Sequence, residues 1–144
     1  MKSLIAFGSI FLMFVLAMPV NADGNGELKK YFSNTASEVK ATDNAVEKRE
    51  ILNESFQNMS QTLDKVLSSG LISENDRIGI EQFKTILQEK QNELEGSNGY
   101  DRVPDAQLNA FANYVVQDME QADTTITISV VVLLLIIILI VLLV

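Results

Sequence analysis

The chain has no histidine, no cysteine, no tryptophan and only two prolines among its 144 residues. Without Cys or His there is no thiolate or imidazole chemistry. Papain-like and Ser-His-Asp catalysis, an ordinary zinc site and a disulfide scaffold are all excluded. A lipoprotein signal is excluded too, since no Cys can carry the lipid. Positive charge is scarce: 11 Lys plus Arg stand against 19 Asp plus Glu, for a net charge of −8. Nothing here could neutralise a run of phosphates, so no nucleic-acid partner is expected. Neither a nucleophile elbow nor a Gly-rich phosphate loop is present. The expectation is a protein that is not an enzyme, with no catalytic residues, no cofactor and no metal.

Two hydrophobic blocks lie at the ends and carry different chemistry. Lys2 gives a short positive start, residues 4–18 are apolar or small without a break, and Pro19, Val20, Asn21 and Ala22 follow. Val20 and Ala22 take the −3 and −1 places that signal peptidase reads. Residues 1–22 therefore read as a secretory signal peptide cut before Asp23. The competing reading is an uncleaved signal anchor, since such a block nearly spans a bilayer. At the other end Asp123 is the last charged residue, and residues 126–144 are 19 positions interrupted only by Thr127 and Ser129. A helix of that length is about 28 Å long, close to the hydrocarbon thickness of a bilayer. Residues 124–144 read as a C-terminal membrane segment, with residues 126–144 contacting the lipid.

Three fates fit such a tail: a retained anchor, the second of two spans around an external domain, or a glycolipid-attachment signal removed on processing. The last needs small residues at and just beyond the attachment point. Ala122 with Thr124, or Asp123 with Thr125, satisfies that, although the polar spacer behind them is about half the usual length.

Residues 23–26 are a polar linker, and residues 27–123 have the length of one small acidic domain. From Glu27 to Ser69 there is no Pro or Gly. Leu28, Phe32, Ala36, Val39, Val46, Leu52, Phe56, Met59, Leu63 and Val66 recur at helical spacing, with a slip near Arg49. Gly70 is the expected stop. Such a helix over residues 27–69 is long enough to break near Asp43 and Asn44 and fold back. If continuous, it would pair as a weak coiled coil through Leu28, Phe32, Thr35, Val39, Thr42 and Val46, making it the expected surface for a protein partner or self-association. A second helix is capped by Ser73 with Asp76 three residues on, carries Ile80, Phe83, Leu87 and Leu94, and stops at Gly96. A third begins at Pro104 and Asp105, carries Leu108, Phe111, Val115, Met119 and Ala122, and meets no breaker before the tail. The fold expected is all-α: a small extracytoplasmic bundle of three to four helices with a C-terminal transmembrane helix, four being preferred.

Several local patterns invite functional readings. Residues 21–26 resemble the front half of a calcium loop, but the twelfth position is Phe32 rather than Glu, so a linker is the better reading. Asn53-Glu54-Ser55 and Asn58-Met59-Ser60 are glycosylation sequons, making Asn53 and Asn58 candidate sites, although a long helix is a poor place for them. The carboxylate pairs Glu47 with Glu50 and Glu93 with Glu95 lie near Lys48 and Lys90. They read as solvated helix faces rather than acid–base machinery.

The function expected is an exported, membrane-tethered helical protein that binds or scaffolds outside the cytoplasm, in the periplasm or at a cell surface. The alternatives are a glycolipid-anchored surface protein whose tail is removed, or a two-span, sensor-like ligand-binding domain without its own output domain.

Overall fold

The computed structural model describes residues 27–125 and 128–143. Residues 1–22, expected as a signal peptide, the expected linker 23–26 and the calcium-loop-like residues 21–26 lie outside the described residues. Among the described residues five α-helices follow in order: α1 (Glu27–Ala41), α2 (Ala45–Ser68), α3 (Glu74–Glu95), α4 (Leu108–Thr125) and α5 (Val130–Leu143), with one 3-10 turn, Asp105–Gln107, ahead of α4. Among the described residues there is no strand.

The long apolar stripe of residues 27–69 does not form one helix. Asn44 adopts an extended backbone conformation, and its Oδ1 accepts from the N–H groups of Val46 (2.9 Å) and Glu47 (3.3 Å). These donors have no partner inside a helix that starts at Ala45, so an Asn side chain caps them at low cost. Thr42 reinforces the turn by donating to Glu47 Oε2 at 2.7 Å and accepting from the Asn44 N–H at 3.2 Å. The chain folds back, and α1 lies on α2. A continuous seam through residue 46 therefore does not exist. Thr42 sits in the turn, and Val46 is exposed.

The other boundaries follow their local chemistry. Gly70 and Gly96 sit beyond the ends of α2 and α3 with φ of 70° and 79°, the left-handed region that stops a helix. At Gly96 a Cβ would also lie 2.8 Å from the backbone nitrogen of Arg102, so glycine is required there twice over. Ser73 caps α3 by accepting from the Asp76 N–H at 3.1 Å.

The core is assembled around α2, which packs against α1, α3, α4 and α5, while α1 also runs along α4. Phe32, Phe56 and Phe83, from three different helices, meet at its centre with Phe32 6.3 and 6.5 Å from the other two rings. Phe111 is buried in the same cluster, so the four inward aromatics are core, as their spacing indicated. Two polar residues on the stripe satisfy each other. Thr35 of α1 and Ser55 of α2 share a buried hydroxyl hydrogen bond of 2.7 Å, and Tyr31 donates to the Ser55 carbonyl at 2.7 Å.

The tail departs from the sequence reading in one respect and adds to it in another. The third helix does not run unbroken into the tail, because Ile128 and Ser129 are not helical and α5 starts afresh at Val130. The tail also does not stand apart from the bundle: Val132, Leu133, Ile136 and Ile140 of α5 are buried in the common core. At 14 residues α5 is about 21 Å long. Among the described residues no helix is long and apolar enough to cross a membrane.

Candidate functional site

The most distinctive region of the molecule is the seat of α5. This helix is built only from Val, Leu and Ile and is equally apolar on every side. A helix that rests on a globular core normally keeps a polar face for water, and this one has none. Its buried residues lie along one edge, while Ile138 and Leu142 on the outer side are 57% and 75% exposed.

The root of α5 is bonded to a carboxylate. Asp76, in the first turn of α3, is 9% exposed. Its Oδ1 accepts the backbone N–H of Ser129 at 2.7 Å, and its Oδ2 accepts the hydroxyls of Ser129 at 3.2 Å and Ser73 at 3.1 Å. Ser129 in turn begins α5: its Oγ accepts from the Val132 N–H at 3.4 Å, and its carbonyl accepts from the Leu133 N–H at 3.0 Å. One anion thus serves the N-terminal ends of two helices, where unpaired N–H groups favour negative charge. The capping pattern Ser73…Asp76 was visible in the sequence. The use of the Asp76 carboxylate on a residue 53 positions away was not.

Two other clusters of ionisable groups lie between helices. Lys90, expected on a solvated face, is instead 3% exposed between α3 and α4. Its Nζ donates to Tyr114 Oη at 2.9 Å and Glu93 Oε2 at 3.4 Å, pairs with Asp118, and lies 4.0 Å from the centre of the Tyr114 ring. Burial by itself pulls the lysine pKa down. Hydrogen bonds to Asp118 and Tyr114, with the charge of Glu93, more than offset that and hold it above the ordinary lysine value. On α1, Glu38 has the opposite surroundings. Its Oε1 is buried with no hydrogen-bond partner, as are Asn34 Nδ2 on the same helix and Asn53 Oδ1 on α2. Burial, with the like charge of Glu54, pushes the Glu38 carboxyl up to about 7. Glu54 is itself raised, by burial and then by Glu50.

A third polar device closes the far end of the bundle. Arg49 donates to the carbonyls of Leu94 and Val103 and to Asp105 Oδ1, tying α2 to the end of α3 and the start of α4. The Asp105 carboxyl is held below its ordinary range by that guanidinium. The slip in the apolar stripe near Arg49 marks this clamp.

The candidate modification sites fall in separate places. Asn53 and Asn58 lie on α2, where the sequon hydroxyl of Ser55 is buried against Thr35 and Met59 is fully buried. Ala122 is buried near the end of α4, and Asp123 lies in the same helix. Of the carboxylate pairs, Glu47 accepts from Thr42 and Glu93 accepts from Lys90. Among the described residues no three Asp or Glu side chains gather as a metal site would require.

No protein-family model, curated protein or solved structure matches this chain.

Proposed function

We propose that this chain is an exported helical protein, tethered by its tail at the outer side of a membrane, where its acidic bundle binds or scaffolds a protein partner. The observation that carries the reading is the tail itself. Residues 124–144 hold no charged side chain, and α5 is apolar on all sides while Ile138 and Leu142 stand exposed. Such a helix exposes to water a surface suited to lipid. The N-terminal block supports the export half of the reading, because its order of Lys2, apolar run and Val20-Asn21-Ala22 is that of a cleavable leader. No observation favours a reaction, so the role proposed is binding.

The test is the intact mass of the protein extracted from the membranes of cells that make the full chain, with both termini assigned. A species from Asp23 to Val144 in the alkali-resistant membrane fraction is the expected result. A chain whose tail is replaced by a glycolipid at Ala122 or Asp123 would move the reading to a lipid-anchored surface protein. Retention of residues 1–22 would move it to a two-span domain. Recovery of the untruncated chain in the cytosolic fraction would overturn it.

A further inference from the structure

We propose that α5 exchanges between its seat on α2 and the bilayer, and that the contact of Asp76 with Ser129 is the latch that holds it on the bundle. The inference rests on the membrane-tether reading and adds to it a switch.

The seat and the span compete for the same residues. In the seated form Ile128 and Ser129 are outside the helix, and Ser129 is spent as the cap of α5 and the partner of Asp76. That leaves a 14-residue helix of about 21 Å, too short for a hydrocarbon core of about 30 Å. Residues 126–144 in one helix would reach about 28 Å. Ser129 would then lie inside the helix, with its N–H bonded to the carbonyl four residues before it rather than to Asp76. One N–H group cannot serve both partners well, so the latch must open for the span to form.

The balance between the two forms is built from matched parts. Seating buries Val132, Leu133, Ile136 and Ile140 but leaves Ile138 and Leu142 in water, whereas lipid covers every side. Lipid thus covers more of α5 itself, while leaving the seat uncovers the face of the bundle beneath it. What holds the tail on its seat is the packing of one edge on α2 and the bonds of a nearly buried carboxylate at the root. Bonds to an ionised acceptor are about twice as strong as neutral ones. Ser129 itself is exposed, so its side of the latch faces solvent.

The absence of Trp and Cys makes the test clean, because a single introduced residue reports on the tail alone and ignores residues 1–22. The full chain carrying Ile138→Trp is mixed with phosphatidylcholine vesicles containing brominated lipid, which quenches a tryptophan that enters the hydrocarbon. Asp76→Asn keeps the shape of the side chain and removes its charge. It is expected to lower the lipid concentration for half-maximal quenching about tenfold, the scale of one charge-assisted hydrogen bond. Ser129→Ala, which keeps the N–H contact, is expected to give a smaller shift in the same direction. Asp76→Cys with Ser129→Cys replaces the latch by a disulfide. The oxidised form should remain unquenched, and reduction of the same sample should restore quenching.

Equal quenching of the oxidised and reduced forms, with Asp76→Asn unchanged from its parent, would overturn the latch and leave the tether standing. No quenching in any form would overturn both. If the cysteine pair does not oxidise, the Asp76→Asn comparison decides, with its helical circular dichroism as the check on folding.

Discussion

The seam between α3 and α4 and the seam between α1 and α2 each enclose an ionisable side chain, and they treat it in opposite ways. At the first, Lys90 is surrounded by a carboxylate from each helix, a phenol oxygen and an aromatic face. At the second, Glu38 has a buried oxygen with no partner and a like charge for a neighbour. A buried charge that is paired locks two helices in register, while one that is unpaired weakens the fold whenever it ionises. The two seams therefore predict opposite responses to mutation and to pH.

The largest effect belongs to the paired seam. Lys90→Met should destabilise the chain by about 3 kcal/mol in urea denaturation, because it strands Asp118 and Glu93 in partly buried positions. Placing Asp118→Asn on top of Lys90→Met should cost far less than the same change in the parent, since its partner is already gone. The lysine pKa is raised in the folded chain, so this stabilisation is fully present below the ordinary value of 10.5. It is lost as pH rises through the raised one. Additive costs for Lys90 and Asp118 would show that the pair is not coupled.

The turn that leads out of α3 should be the next most sensitive place. Gly96→Ala combines left-handed backbone with a Cβ 2.8 Å from Arg102 N, whereas Gly70→Ala meets the backbone penalty alone, with nothing within 4 Å. The expected losses are about 2 kcal/mol and about 1 kcal/mol. Thermal midpoints measured side by side would check the difference, and equal losses would mean that residue 102 yields freely.

The unpaired seam should improve when its charge is removed. Glu38 has an ordinary value of 4.5 and a folded value of about 7, so the folded chain holds the proton more tightly than the unfolded one across that window. Its contribution to stability therefore falls as pH rises from 4.5 to 7, and the loss is complete above 7. The shift corresponds to at most about 3 kcal/mol, and solvent screening of a half-buried carboxyl reduces that to about 1–2 kcal/mol. Glu38→Gln should stabilise the chain by that amount at pH 8 and leave it unchanged at pH 4. An unchanged stability at pH 8 would place Glu38 in water.

The difference between the seams was only partly legible in the sequence. Helix existence, the inward aromatics, the stops at Gly70 and Gly96 and the cap at Ser73 were readable, because each depends on residues within a turn or two of one another. Lys90 was read as surface, yet a signal was present. The stripe Ile80, Phe83, Leu87, Leu94 skips one helical step between its last two members, and Lys90 fills it. Its burial came from Tyr114 and Asp118 on another helix, which no local pattern displays. The seat of α5 was hidden for the same reason. A uniformly apolar segment has no preferred face, so nothing in it says which neighbour it will choose, and the Asp76–Ser129 contact joins residues 53 positions apart. Arg49 lay between these cases, since its interruption of the stripe was visible and its three acceptors were not.

The smallest effect tests the turn that creates the weaker seam. Asn44→Ala removes the acceptor for two N–H groups at the start of α2 and should cost about 1 kcal/mol. Alanine also favours helix, so the substitution pushes residues 27–69 toward the single long helix whose seam would run through Thr42 and Val46. Against that push stands the burial of Phe32, Tyr31 and Val39 on the folded-back α1, and the Thr35–Ser55 and Tyr31–Ser55 bonds that exist only when the two helices lie side by side. Each large side chain buried there is worth about 1.5–3 kcal/mol, so together they exceed the gain in helix propensity several-fold. The Asn44→Ala chain should therefore lose its small increment of stability and keep the sedimentation behaviour of its parent. A shift to an elongated species with greater helical signal would show instead that the cap, and not the core, sets the fold of α1 on α2.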